Sequence, residues 1–274
     1  MSVNSKRVLR PPSLRPRISF SELYSFRYLL LGMAIRDIKV KYAQTIIGLL
    51  WAVIQPLITV VLLTFVFQKI GNVDTEGTPP ALFTLVGYAI WSYFSSVMTG
   101  ASSSVISAQR LIQKVYFPRL VLPLSKVISG FVEFGVLLLM IVISVIYYGY
   151  RPSLNMLYCI PVVFLAIIFS VACGIWISAI TVRYRDFRFI TPFLLQIGLF
   201  LTPIAYPLSA VPENHRLLYQ FNPMTGIVES FRYSVLGVSQ PIPSVYYSII
   251  VTIVLFVTGV IYFSKVQEVM ADIV

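Results

Sequence analysis

Six stretches of this 274-residue chain run for at least 24 residues with no charged side chain, or with only one. They lie between Lys41 and Lys69, from Ala81 to Gln109, between Lys126 and Arg151 with Glu133 inside, between Arg151 and Arg183, between Arg188 and Glu213, and between Arg232 and Lys265. About 20 apolar residues cross the hydrocarbon core of a bilayer as a helix, so each stretch is long enough for one crossing. A water-soluble fold is excluded on the same ground. Charged residues make up 11% of the chain, against roughly 25% in soluble domains, too few to cover a surface that faces water. The expected fold is therefore an all-α integral membrane protein of six transmembrane helices, at about 44–68, 81–106, 127–149, 154–181, 189–206 and 243–264. The fifth carries Pro192, Pro203 and Pro207, and its continuous helix is expected to end near Pro203 to Pro207.

The basic residues set the sidedness. With an even number of crossings both termini share a face, and 17 of the 21 Lys and Arg fall on that face, against Lys69, Arg151, Arg216 and Arg232 on the other. The positive-inside rule then makes the terminal face cytoplasmic. In a soluble protein the net charge of +11 would suggest nucleic acid; here it reads as membrane sidedness, with no nucleic-acid partner. The basic start of the chain is some 40 residues long and no small-residue cleavage site follows the first apolar run, so no cleaved signal peptide is expected. Cys159 and Cys173 are 14 residues apart, about 20 Å on a helix and beyond disulfide reach.

Three segments are not plain crossings. Residues 1–18 form a basic tail suited to anionic lipid. Residues 19–42 read as an amphipathic interface helix opened by a capping box of Ser19 and Glu22, with Leu23, Leu30, Ala34 and Ile38 on one side. In Ser107 to Lys126, Leu111, Val115 and Phe117 alternate with Arg110, Lys114 and Arg119, which fits either a docking helix ending near Pro118 or a solvated amphipathic loop. From Pro207 to Pro243 apolar runs stand between prolines. Asn222 followed by Pro223 is a helix cap and a first-turn proline, and Glu229 and Arg232 sit one turn apart, able to pair. Two short re-entrant or interfacial helices are expected there, serving as a lid or as a structural cap.

The chemistry is sparse. No glycine is followed by lysine, so the phosphate-cradling GxxxxGK[ST] loop is missing, and ATP-driven work would need a second chain. One histidine, His215, and no close carboxylate pair leave no usual metal or two-carboxylate hydrolase reading. Glu133 is the one acid inside an apolar stretch, a functional candidate by default that a base near Lys126 could instead neutralise. Gly48, Ala52, Gln55 and Thr59, with Trp51 beside them, form a small or polar stripe, which either packs a helix or lines a hydrated path. Ser92, Ser96, Gly100, Ser103 and Ser107 form an all-small stripe, better read as close packing. Most of the 39 aromatic residues read as an interfacial belt, a minority as flat surfaces for sugar rings.

The runs RDIKVKYAQTIIGLLWAVIQPL (Arg36 to Leu57), KVYFPRLVLPLSKVISGFVEF (Lys114 to Phe134), RDFRFITPFLLQIGLFLTPIAYP (Arg185 to Pro207) and NPMTGIVESFRYSVLG (Asn222 to Gly237) resemble the membrane subunit of type-2 ABC transporters that export bacterial polysaccharides. The resemblance covers about residue 20 to the end. It implies a homodimer of six-span subunits paired with two ATP-binding subunits, which hold the ATP and Mg; this chain itself is expected to be no enzyme and to carry no cofactor or metal. It implies a coupling helix near Ser107 to Pro118, with Arg110, Leu111, Lys114, Val115, Tyr116 and Phe117 toward the ATPase. It implies outer gate helices at 208–220 and 222–237, with Asn222, Pro223, Glu229 and Arg232, and a channel lined by Trp51, Gln55, Thr59, Gln196 and Thr202. The cargo implied is a lipid-linked polysaccharide, O-antigen foremost, crossing the inner membrane from the cytoplasm. Teichoic acid, capsule or a small molecule are the alternative cargoes, and a membrane-bound glycan-modifying enzyme is the alternative class.

Overall fold

The computed structural model describes residues 20–43, 47–150, 154–238 and 244–273. The basic tail, Ser19 of the expected capping box, the expected start of the first crossing at 44–46, Arg151, and Pro243 at the expected start of the last crossing lie outside them. The described residues are helical, without strands. In chain order the helices are α1 (Phe20–Ser25), α2 (Arg27–Tyr42), α3 (Trp51–Thr64), α4 (Pro80–Ser107), α5 (Gln109–Lys114), α6 (Val121–Tyr147), α7 (Cys159–Arg183), α8 (Phe187–Leu201), α9 (Glu213–Gln220), α10 (Pro223–Leu236) and α11 (Ser244–Ile273). A π-helical turn, Phe65–Ile70, prolongs α3.

Among the described residues, five helical segments are long and apolar enough to cross a membrane: Trp51–Ile70, Pro80–Ser107, Val121–Tyr147, Leu154–Arg183 and Ser244–Gln267. The sixth apolar helix, α8, has 15 residues and so spans only about 22 Å. It stops at Leu201 because Pro203 forces the preceding residue out of the helical region, and Thr202 is extended, with φ −108° and ψ 137°.

Helix α4 is the hub. It packs on α3, α6, α7, α8 and α10, and Leu82, Phe83, Val86, Ala89, Ile90 and Val97 along it are fully buried. By contrast, much of α3, α6 and α11 carries exposed apolar side chains such as Val61, Ile143 and Ile253, the surface expected where lipid or another subunit replaces water.

A second apolar cluster closes the face that holds both ends of the described chain. Met33 of α2, Phe117 and Leu120 of the loop after α5, and Phe263 and Met270 of α11 meet there. The N-terminal segment expected as one interface helix over residues 19–42 is two helices, α1 and α2. Phe26 leaves helical geometry between them, at φ −94° and ψ 15°, and its ring packs into this same cluster beside Leu23, Leu29 and Leu30.

Candidate functional site

A cavity of about 950 Å³ opens between α2, α3, α4, α6 and α8. Trp51, Gln55 and Thr59 of α3 and Gln196 of α8 all line it, so four of the five residues expected along a channel share one space. Proline shapes both walls. Pro56 and Pro192, each inside a helix, also face the cavity.

The fourth side is α4, and here the sequence misled. Ser92 and Ser96, expected in close helix packing, face the cavity together with Tyr88, Trp91, Ser95 and Thr99, whereas Gly100 borders it and still packs closely on α6, a Cβ there lying 3.1 Å from the Lys126 side chain. An all-small stripe specifies room but not what fills it. Packing is served on the same helix by Ser102 and Ser104, both buried; Ser104 Oγ lies 3.4 Å from Ser178 Oγ of α7. Tyr88, Trp91, Ser95, Thr99 and Ser129 had no signal of their own in the sequence; a two-sided polar pattern on α4 was the available clue.

Charge enters the lining at one end only. Asp37 and Lys41 of α2 and Lys126 and Glu133 of α6 stand there as two ion pairs, Lys41 with Glu133 and Lys126 with Asp37. The Tyr42 hydroxyl also donates to Glu133, at 3.1 Å, and Arg36 pairs with Asp37 at 2.9 Å. Glu133 is thus neutralised by a base, though from α2 and not from nearby Lys126. Two lysines are matched by two carboxylates, so the cavity is polar, aromatic and electrically balanced.

Thr202 lies elsewhere. It is fully buried, and its hydroxyl accepts a hydrogen bond from Asn222 Nδ2 at 3.0 Å. Asn222 also caps α10 by accepting from Met224 N–H at 3.1 Å, with Pro223 in the first turn and Gly237 closing the helix at φ 74°, where a residue without Cβ fits best.

The broken segment after α8 returns beside α10, and side chains meet five carbonyls at the end of α8 and along it. Tyr206 Oη donates to Phe200 O (2.6 Å), Asn222 Nδ2 to Leu201 O (3.4 Å), Arg232 Nη2 to Pro203 O (2.8 Å) and Ile204 O (2.9 Å), and Gln68 Nε2 to Ala205 O (3.0 Å). Irregular backbone at membrane depth is tolerated on that condition. Glu229 and Arg232 are both buried and, although one turn apart, form no ion pair within 4 Å among the described residues.

On the opposite face, α5 presents Arg110 and Lys114 outward, with Val115 and Tyr116 exposed just beyond it. Leu111 packs inward, and Phe117 is 4% exposed, an anchor in the apolar cluster. Tyr116 Oη donates to Glu22 at 3.1 Å, and Arg119 donates to the Gln267 carbonyl, so the loop is strapped to both terminal helices.

The sequence profile of the ABC-2 type transporter family matches residues 28–236. The chain is 28% identical over 264 residues to the O-antigen export system permease protein RfbA of Klebsiella pneumoniae, covering 95% of this chain and 99% of that protein. A protein of the same name from Myxococcus xanthus is 29% identical, over 77% of this chain and 81% of its own length. The polysialic acid transport protein KpsM of Escherichia coli is 22% identical, over 88% and 95%.

Proposed function

The chain belongs to the ABC-2 type transporter family, and from that premise we propose that it is the membrane subunit of an ATP-driven exporter of a lipid-linked polysaccharide, O-antigen foremost. The observation that carries this is the cavity lining. Trp51 and Tyr88 offer flat rings, Gln55, Gln196 and a ladder of serine and threonine hydroxyls offer exchangeable hydrogen bonds, and the charges at the mouth are internally paired. Sugars stack on rings and trade hydrogen bonds with hydroxyls and amides; a long neutral chain can slide along such a wall, whereas fixed ion pairs would hold it in place. The names of the relatives, O-antigen export and polysialic acid transport, support a glycan over a small molecule.

In this reading the terminal, basic face is cytoplasmic, α8 with the bent segment after it is the fifth of six crossings, and the membrane is the inner one. The open flank of α3 and α8 meets a second copy of the chain. Arg110, Lys114, Val115 and Tyr116 meet an ATP-binding subunit, which supplies the ATP and Mg. Phe117 supports that surface from behind.

Deleting the gene should leave finished glycan inside the cell while its synthesis continues. Normal surface glycan after deletion would refute the proposal. Copurification with a nucleotide-binding subunit separates it from a stand-alone glycan-modifying enzyme.

A further inference from the structure

Beyond its mouth the cavity has walls without charge. No Asp, Glu, Lys, Arg or His occurs between Lys41 and Lys69, from Ala81 to Gln109, or between Arg188 and Glu213. Helices α3 and α4, and α8 after its first turn, are therefore charge-free along their length. The charges that do enter the lining, Asp37, Lys41, Lys126 and Glu133, belong to α2 and α6 and are taken up in their own two pairs. Each carboxylate also has a second donor, Tyr42 for Glu133 and Arg36 for Asp37. A second copy of this chain would bring the same walls, so dimerisation adds no cation to them. Some hydroxyls of the lining even spend their protons on the protein: Thr59 donates to the Gln55 carbonyl at 2.9 Å and Ser129 to the Lys126 carbonyl at 3.1 Å. What these two offer a ligand is lone pairs, to which a sugar hydroxyl can donate and a carboxylate oxygen cannot.

On the reading that this chain exports a glycan, we propose that the cavity is also a charge filter: it passes glycans whose repeating sugars are uncharged and discriminates against acidic ones, with uronate, sialate or phosphate in the repeat. An anion moved along these walls meets hydroxyl and amide dipoles but no counter-ion, because the nearest cations are already neutralised at the mouth. Taking an unpaired charge out of bulk water is costly. A neutral sugar gives up only hydrogen bonds to water, and Gln55, Gln196 and the α4 hydroxyls replace these in kind. A charge at the lipid-linked end is met once per chain, whereas a charge in each repeat is met at every step of a sliding polymer. Gln55 on α3 and Gln196 on α8 stand on two different walls. They determine specificity by being amides where a cation would hold an anion.

The permease–ATPase complex is reconstituted in proteoliposomes with two lipid-linked oligosaccharides of equal length, one of galactose alone and one in which glucuronate alternates with galactose. Movement of each into the lumen with ATP is timed by its protection from a membrane-impermeant oxidant added outside. The parent should move the neutral glycan about tenfold faster than the acidic one. Gln196→Lys and Gln55→Lys, both at exposed positions, should each lower the neutral-to-acidic ratio by about threefold or more, and Gln196→Glu should raise it. The ATPase is the same throughout, so a change in the ratio belongs to this chain. A parent that moves both glycans alike overturns the filter and leaves glycan export standing. So do assembled lysine variants that keep the parent's ratio, or a Gln196→Glu complex whose ratio does not rise. Movement of neither glycan with ATP rejects the exporter reading, and the filter with it.

Discussion

Lys126 and Asp37 form an ion pair between α6 and α2 with both side chains largely buried, at 14% and 18% exposure, whereas Lys41 in the neighbouring pair with Glu133 is 55% exposed. The two pairs tie the same helices, but water screens only one of them. Asp37→Asn leaves a buried ammonium facing an amide, and losses of this kind reach about 3 kcal/mol. Lys41→Ala should cost under about 1 kcal/mol, since Tyr42 continues to serve Glu133. Thermal melting of the purified complex should rank them so, with added salt weakening the Lys41 pair more.

Trp51 and Trp91 face the same cavity from different settings, and their removal should separate transport from stability. Trp51 is 44% exposed and Trp91 only 5%, with its ring at the point where a Cβ on Gly198 would come within 2.7 Å. Trp51→Ala, and likewise Gln55→Ala, should slow glycan export at unchanged melting temperature. Trp91→Ala removes a core ring that joins α4 to α8 and should cost about 3–5 kcal/mol of stability. Export rate per assembled complex, measured beside the melting curve, checks both. An unchanged rate for Trp51→Ala would return the α3 stripe to plain packing.

What the sequence disclosed follows from which forces are local. Charge-free length placed α4, α6, α7 and α11, because a helix in lipid must be long and apolar regardless of its neighbours. The Asn222–Pro223 cap and the stop before Pro203 were legible for the same reason: each is decided by one or two residues. The partner of a polar side chain is not local. Glu229 and Arg232 have helical spacing for a pair, yet Arg232 turns instead to the carbonyls of Pro203 and Ile204, and no ion pair within 4 Å joins the two among the described residues. The serine stripe of α4 likewise left packing and lining undistinguished, since small side chains suit both. Thr202 went to Asn222 because the extended geometry imposed by Pro203 turns it off the α8 face that carries Gln196.

Gly87 tests the seat of the broken segment. A Cβ at this position would lie 2.7 Å from Ile204 O, 2.8 Å from Arg232 Nη2 and 3.2 Å from Ile204 Cα. The obstacle is backbone, which cannot rotate away as a side-chain tip would. Gly87→Ala should therefore push the segment off α4, at about 1–3 kcal/mol, and weaken the bonds from Arg232. A lower melting temperature of the purified complex is the expected outcome; an unchanged melt would show that the contact relaxes without moving the segment.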